Sequence, residues 1–411
     1  MVEVKPSQNR PESNELPRLL LITRHLPGQV EVGPVFLRDL FRLYPQDRLF
    51  WFHIAPQDPF EQSPEFDRMI TRLGEGTFTH IRSPKIPFWR NPSSEGLLKE
   101  VIEFGSEHSI DLVWAAMDSP ETVSLAVPVA EALGVKLITM VWDPPEYKIE
   151  RWGVKNTTGR RILLDCFERA LRRADRCGVA SPRMAEVYEE RFGTDCVVLI
   201  RGVPQADKFI PPAPLDERTI NIGYAGSFYA TPTWQSFTKA LDDIKWTLDN
   251  RRIALHVMGP GFTAATRSHA EIRYWGWLDA KETVALLSQM QLAYLPYWFE
   301  DTFKTAVELS FPNKLATYIA AGIPTLYHGP LSSSPTRFFR DYPAGIGCHS
   351  TDPSDILDAL TLLVSDTDLI ERAKKACAAA YLEMLSPAIF RKNFARLLGV
   401  EQSALAPIVS T

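Results

Sequence analysis

The chain has 411 residues, 45% of them hydrophobic and 23% charged, as in a soluble globular protein long enough for two full cores. Its formal net charge of −5 argues against a nucleic-acid binder that works by broad phosphate neutralisation. Five cysteines without C-x-x-C or framework spacing point to reduced thiols and a cytoplasmic setting, and no apolar run reaches the ~18 residues that span a bilayer.

Residues 1–18, MVEVKPSQNRPESNELPR, lack the apolar stretch of a signal peptide and read as a disordered tail. Residues 19–204 then alternate strands and helices. Strands are expected at 19–24, 49–54, 78–81, 112–117, 136–141, 176–180 and 196–200. Amphipathic helices are expected between them, among them 122–133 and Pro182–Phe192, the latter with Ser181 as its cap. The polar, proline-rich stretch QADKFIPPAPLDERT reads as a linker and opens a second alternating unit, 205–385. Its expected strands are 220–225, 253–258, 272–275, 292–295, 325–327 and 345–348. Residues 386–402, centred on a helix at Pro387–Leu398, are expected to cross back onto the first unit. Alternation of this kind predicts an α/β fold of two doubly wound parallel sheets. A cleft then lies between the carboxyl ends of their strands.

The chemistry concentrates at those strand ends. In 308–324, ELSFPNKLATYIAAGIP, Pro312 suits the first position of a short helix. Leu315, Tyr318 and Ile319 give that helix an apolar face, and Gly322 closes it. Unpaired N–H groups at its mouth, with Lys314 beside them, make a seat for an anion. A buried helix with a solvated lysine fits the same residues. Gly226-Ser227 follows strand 220–225, where a glycine lets backbone amides approach a phosphate or simply allows a tight turn. Trp275-Gly276-Trp277-Leu278 follows another strand and suits either a nucleobase edge or plain packing. In the first unit, His25-Leu26-Pro27-Gly28-Gln29 and Asp143 sit past strand ends, as cleft-facing groups or as cap and turn residues. Arg160, Arg161, Arg169, Arg172, Arg173 and Arg176 form either a face salt-bridged to Asp165, Glu168 and Asp175, or a contact with an anionic membrane surface. No His/Cys cluster has metal-ligand spacing, so no metal is expected.

The order of these pieces, from Leu19 to Leu398, resembles a GT-B glycosyltransferase and is most similar to glycosyltransferase family 4. INIGYAGS resembles the family's phosphate loop, IALHVMGPG its second strand and turn, and IRYWGWL its base-binding loop. FPNKLATYIAAGIP resembles the donor-site helix, and RADRCGVASPRMAEVYEERFG followed by VVLIRGVP the hinge passage. The resemblance implies two Rossmann-like domains facing across a cleft and a retaining, metal-independent hexosyl transfer. It implies no cofactor beyond a UDP- or GDP-sugar co-substrate. The donor would meet Gly226, Ser227, Asn313, Lys314 and Leu315 at its phosphates, Gly276, Trp277 and Leu278 at its base, and Thr317 near its ribose. Lys314 would offset the leaving diphosphate and Glu308 would hold donor sugar hydroxyls. Asp143, His25, Gly28 and Gln29 would face a saccharide or lipid-linked acceptor. Glycan, polysaccharide or glycolipid synthesis at the cytoplasmic face of the inner membrane is the implied setting. The sequence departs from the family pattern at Thr317 and Leu309, where members carry glutamates, and at Trp142, where a histidine precedes the aspartate. The stretch 228–234 also lacks the usual basic residue. An idle GT-B module binding a saccharide or a protein partner is the competing reading of those departures.

Overall fold

The computed structural model describes residues 16–26, 32–55, 78–82, 93–205, 215–216, 218–259 and 269–407; Gly28, Gln29 and most of the expected linker lie outside them. Continuous apolar runs such as Leu-Leu-Leu-Ile at the first strand bury both faces, as strands of a parallel sheet covered by helices must. The first sheet contains β1 (Leu19–Thr23), β2 (Leu49–Ala55), β3 (Phe78–Arg82), β4 (Leu112–Ala116), β5 (Lys136–Val141), β6 (Arg176–Val179) and β7 (Cys196–Val198). Its order is β3-β2-β1-β4-β5-β6-β7, and every pairing is parallel.

The second sheet contains β8 (Ile220–Ala225), β9 (Thr247–Leu248), β10 (Arg251–Met258), β11 (Glu271–Gly276), β12 (Leu292–Pro296), β13 (Thr325–His328) and β14 (Gly345–Cys348). Its main path is β11-β10-β8-β12-β13-β14. β9, absent from the expected strands, pairs antiparallel with β10 through Asp249 and Asn250, at φ 49° and 59°. Positive φ at both turn residues suits Asp and Asn in a tight hairpin. Two Rossmann-like doubly wound units therefore make up the described chain, the GT-B arrangement. In each sheet the strand order reverses beside the first strand, between β1 and β4 and between β8 and β12. Crevices for ligands open at such points.

Two chain passages connect the halves side by side. Gly202 lies so close to the second passage that a Cβ there would be 2.5 Å from Pro387 Cα, and Val203 N–H donates to Leu385 C=O at 3.3 Å. Helix Pro387–Leu398 then packs Phe390, Phe394 and Leu397 into the apolar cluster of Leu19, Leu21 and Trp114. Serines start the helices as expected: Ser181 Oγ accepts from Met184 N–H at 2.9 Å, and Ser386 caps the last long helix. One expected position shifts. Pro312, at φ −72° and ψ 114°, stands outside the donor-side helix as its cap residue, and the helix is Asn313–Ala320. Gly322, at φ 68°, ends it.

Candidate active site

The crevice between β8 and β12 is held open by one side chain. The two strands pair only at Leu292–Ile222 and Ala293–Gly223, then part. The Tyr318 hydroxyl fills the gap, accepting from Ala225 N–H at 3.1 Å and donating to Tyr294 C=O at 3.1 Å. Both backbone groups would otherwise be buried without partners, so helix Asn313–Ala320 is pinned to the crevice by hydrogen bonding as well as packing. Leu315, Ala316 and Ile319 complete its buried face, while Asn313, Lys314 and Thr317 share the partly exposed one.

Three glycines line the carboxyl ends of β8, β10 and β11. Gly226 N–H donates to Met258 C=O at 2.7 Å, and Gly259 N–H donates to Gly276 C=O at 2.8 Å. Their φ angles are +89°, +145° and +70° for Gly226, Gly259 and Gly276. A Cβ on Gly259 would lie 2.7 Å from Gly226 O, so the turn admits no side chain there. The result is a shelf of bare backbone beside the mouth of helix Asn313–Ala320.

Lys314 reaches across to that shelf. Its Nζ donates to Ser227 C=O at 2.9 Å and lies 4.0 Å from the Tyr229 ring centroid and 4.9 Å from that of Tyr224. Among the described residues it has no carboxylate partner, and desolvation pushes its pKa down to about 7. Tyr229 occupies the stretch that lacks a basic residue. Its ring stacks on Trp298 at 4.7 Å, and its buried hydroxyl has no partner among the described residues. The structure thus brings Gly226, Ser227 and Lys314 together, with Asn313 and Thr317 on the same helix face. Leu315 is different: it is fully buried, and its N–H already donates to Pro312 C=O at 2.9 Å, so only Asn313 and Lys314 offer amides at this mouth.

Beyond the shelf, Trp277 is 49% exposed and Leu278 packs on the core of this half. Trp275 is a packing residue. Its Nε1–H donates to His256 Nδ1 at 3.1 Å, and His256 Nε2 lies 2.9 Å from Asn221 Oδ1. Because indole only donates, His256 carries its proton on Nε2 and is neutral, with burial pushing its pKa down to about 4.

The crevice of the first sheet is organised by Asp118, which the sequence did not single out. Only 2% exposed, it accepts from Thr23 Oγ1–H at 2.7 Å, Thr122 Oγ1–H at 3.2 Å, and the N–H groups of Arg24 and His25. It thereby fixes the start of the loop after β1. The His25 ring packs over Gly33, where a Cβ would come within 3.0 Å, and meets the edge of Trp142 at 6.1 Å. Trp142 also packs on Phe36 at 5.5 Å. Asp143, the next residue, faces the other half, and its Oδ1 accepts from Ser310 Oγ–H at 2.8 Å. Glu308 is partly exposed two residues before Ser310, on the short helix Lys304–Leu309.

The arginine-rich helix Thr157–Arg173 is only partly neutralised. Arg160 pairs with Glu150 at 2.9 Å, Arg172 with Glu168 at 2.9 Å, and Arg176 with Asp195 at 3.3 Å. Asp175 accepts from Leu137 N–H at 3.1 Å. Arg161, Arg169 and Arg173 are exposed and make no ion pair among the described residues. Within those residues, no helix is long and apolar enough to cross a membrane.

No protein-family profile matches the chain, and no curated protein sequence matches it. Solved structures do match, and these neighbours are GT-B glycosyltransferases. Sucrose-phosphate synthase from Thermosynechococcus elongatus superposes with a TM-score of 0.60 at 15% identity, covering 92% of this chain and 97% of that one. Anabaena HepE, solved with UDP and glucose, gives 0.60 at 11% identity over 93% of this chain and 99% of its own. The lipopolysaccharide outer core galactosyltransferase WaaB gives 0.58 at 15% identity over 93% and 99%. At such identities the likeness establishes the GT-B fold across nearly the whole chain.

Proposed function

We propose that the chain is a retaining glycosyltransferase that moves a sugar from a UDP- or GDP-sugar to an acceptor hydroxyl. One observation carries this reading: a lysine with no carboxylate partner among the described residues, at a helix mouth, facing a shelf of glycine backbone at a topological switch point. A diphosphate supplies what that lysine lacks. HepE was solved with UDP-glucose on the same fold, which supports a nucleotide-sugar ligand here.

In this reading the diphosphate rests on amides at Ser227, Asn313 and Lys314, while Gly226, its own N–H committed to Met258 C=O, contributes only the close approach that a missing Cβ allows. The base meets Gly276, Trp277 and Leu278, Thr317 stands near the ribose, and Glu308 holds donor sugar hydroxyls. As the bond from anomeric carbon to phosphate oxygen breaks, negative charge grows on the departing diphosphate. The Lys314 ammonium and the fixed amides stabilise it there, where preorganised donors lower a barrier most. The acceptor oxygen bonds to the anomeric carbon and its proton passes to the leaving diphosphate. Asp143 and His25 face this acceptor, a saccharide or a lipid-linked one; Gly28 and Gln29, assigned to it from the sequence, lie outside the described residues. Because Lys314 neutralises the leaving group, no metal ion is required.

Arg161, Arg169 and Arg173 add a basic face to the acceptor-side half, suited to reversible contact with an anionic bilayer at ~1 kcal/mol per charge. A thermal-shift screen against UDP, GDP and ADP tests the donor assignment. A diphosphate at one hundred times its Kd stabilises the fold by about 2.7 kcal/mol, and no shift with any of them rejects the reading.

A further inference from the structure

The turn from the end of helix Lys304–Leu309 toward helix Asn313–Ala320 belongs to the second half, yet Leu309 and Ser310 reach into the first. Leu309 is 7% exposed and lies within the apolar cluster of the first half, with Met184, Tyr188 and Val179. Its carbonyl accepts a hydrogen bond from Ser181 Oγ–H, while the same Ser181 oxygen caps helix Pro182–Phe192. Ser310, also 7% exposed, has every polar group committed. Its N–H donates to Ala306 C=O at 2.8 Å, its carbonyl accepts from Tyr297 O–H at 3.3 Å, and its hydroxyl donates to Asp143 at 2.8 Å. Tyr147 adds ring contacts with Trp298 and Phe303 at 6.3 and 6.2 Å. By contrast, the Arg337–Glu186 pair across the halves, 3.4 Å apart and exposed, contributes little.

We propose that Leu309 and Ser310 form a latch that closes the cleft and holds Asp143 in place, with Ser310 as the positioning residue for that carboxylate. This rests on the glycosyltransferase reading only for the meaning of Asp143; the closure itself does not depend on it. The chemistry follows from the bonds. Ser310 bonds Oδ1 of Asp143 and leaves Oδ2 to accept from a non-reacting hydroxyl of the acceptor, which orients it. Only Phe311 and Pro312 separate Ser310 from Asn313 at the donor helix mouth. Leu309 supplies the closing force by burying its side chain in the opposite half.

The test uses the full chain and the variants Ser310→Ala, Ser310→Thr and Leu309→Ala. Small-angle scattering without ligand is expected to show a compact wild type, an expanded Leu309→Ala, and a Ser310→Ala that expands in part. UDP affinity, set within the second half, is expected to change less than twofold in both serine variants. Where transfer is measurable, Ser310→Ala is expected to lower kcat at least about tenfold, equivalent to about 1.4 kcal/mol, and Ser310→Thr to restore most of it. Equal scattering by the wild type and both Leu309→Ala and Ser310→Ala overturns the latch, whatever the activity. Altered scattering with no transfer from any nucleotide sugar would instead count against the enzymatic reading and leave the latch standing. A Ser310→Ala variant with unchanged kcat removes its positioning role.

Discussion

Replacing Lys314 by alanine should abolish a specific pH dependence of diphosphate binding. In the free protein desolvation pushes the Lys314 pKa down to about 7, with no carboxylate among the described residues to favour its ammonium. A bound diphosphate favours the ammonium by the value of a charge-assisted hydrogen bond, about 1.5–3 kcal/mol. That corresponds to about 1 to 2 pKa units, so Lys314 in the complex should titrate at about 8 to 9. The direction follows. Below pH 7 the lysine is charged with or without ligand, and affinity does not vary on its account. Between the free and bound values binding must take up a proton, and Kd should weaken by about tenfold per pH unit. The terminal phosphate, with a second pKa of about 6, is about nine-tenths or more ionised above pH 7, so its own titration contributes little between 7 and 9. Titration calorimetry with UDP and GDP from pH 6.5 to 9.5, in buffers of different ionisation enthalpy, measures both affinity and proton uptake. Lys314→Ala should bind about 10- to 150-fold more weakly at the acid end, show no proton uptake, and converge on the wild type near the alkaline end. The same substitution should leave the fold intact, since it removes a desolvated cation. A variant that binds diphosphate as tightly as the wild type across the range refutes the assignment of Lys314 as the diphosphate cation, and a wild-type affinity flat from pH 7 to 9 refutes its lowered pKa.

Other substitutions probe the framework. Tyr318→Phe strands Ala225 N–H and Tyr294 C=O between β8 and β12, which should cost about 1–3 kcal/mol in urea denaturation and weaken diphosphate binding as well. Gly259→Ala forces the 2.7 Å approach to Gly226 O apart and should reduce UDP affinity far more than fold stability, as calorimetry and thermal melts would show. Asp118→Ala strips the Arg24 N–H of its acceptor and Thr23 Oγ1–H of its 2.7 Å bond and should lower stability by about 1–3 kcal/mol, with any acceptor KM rising and UDP affinity unchanged. Co-sedimentation should favour anionic over neutral vesicles at low salt and lose that preference at high salt; equal partitioning removes the arginine face from the account.

Much of the scaffold was legible because buried parallel strands are continuous apolar runs broken by helices with Ser-Pro starts. β5, β8 and β14 were expected at the bounds they have. β9 was missed because two residues carry no periodicity, although Asp249-Asn250 is a recognisable hairpin turn. Of the candidate site, the proximity of Gly226, Ser227 and Lys314 was legible, because it rests on strand order and a helix mouth. It was not legible where a side chain acts through distant partners. Tyr318 reads as one more apolar-face residue, and only the parting of β8 and β12 gives its hydroxyl a task. Asp118, just ahead of the Ser119-Pro120 helix start, looks like local capping, whereas its hydrogen bonds reach back to β1. Leu309 drew notice only as a departure from a glutamate, and its burial in the opposite half is a property of tertiary structure alone.

The most direct measurement is the release of nucleoside diphosphate from a panel of UDP- and GDP-sugars, in EDTA, by the wild type and by Lys314→Ala. Release by the wild type from at least one donor is expected, undiminished by the chelator and slowed at least about tenfold by the substitution. Failure to bind or process any nucleotide sugar, release that requires an added divalent cation, or equal rates for the two proteins would contradict it.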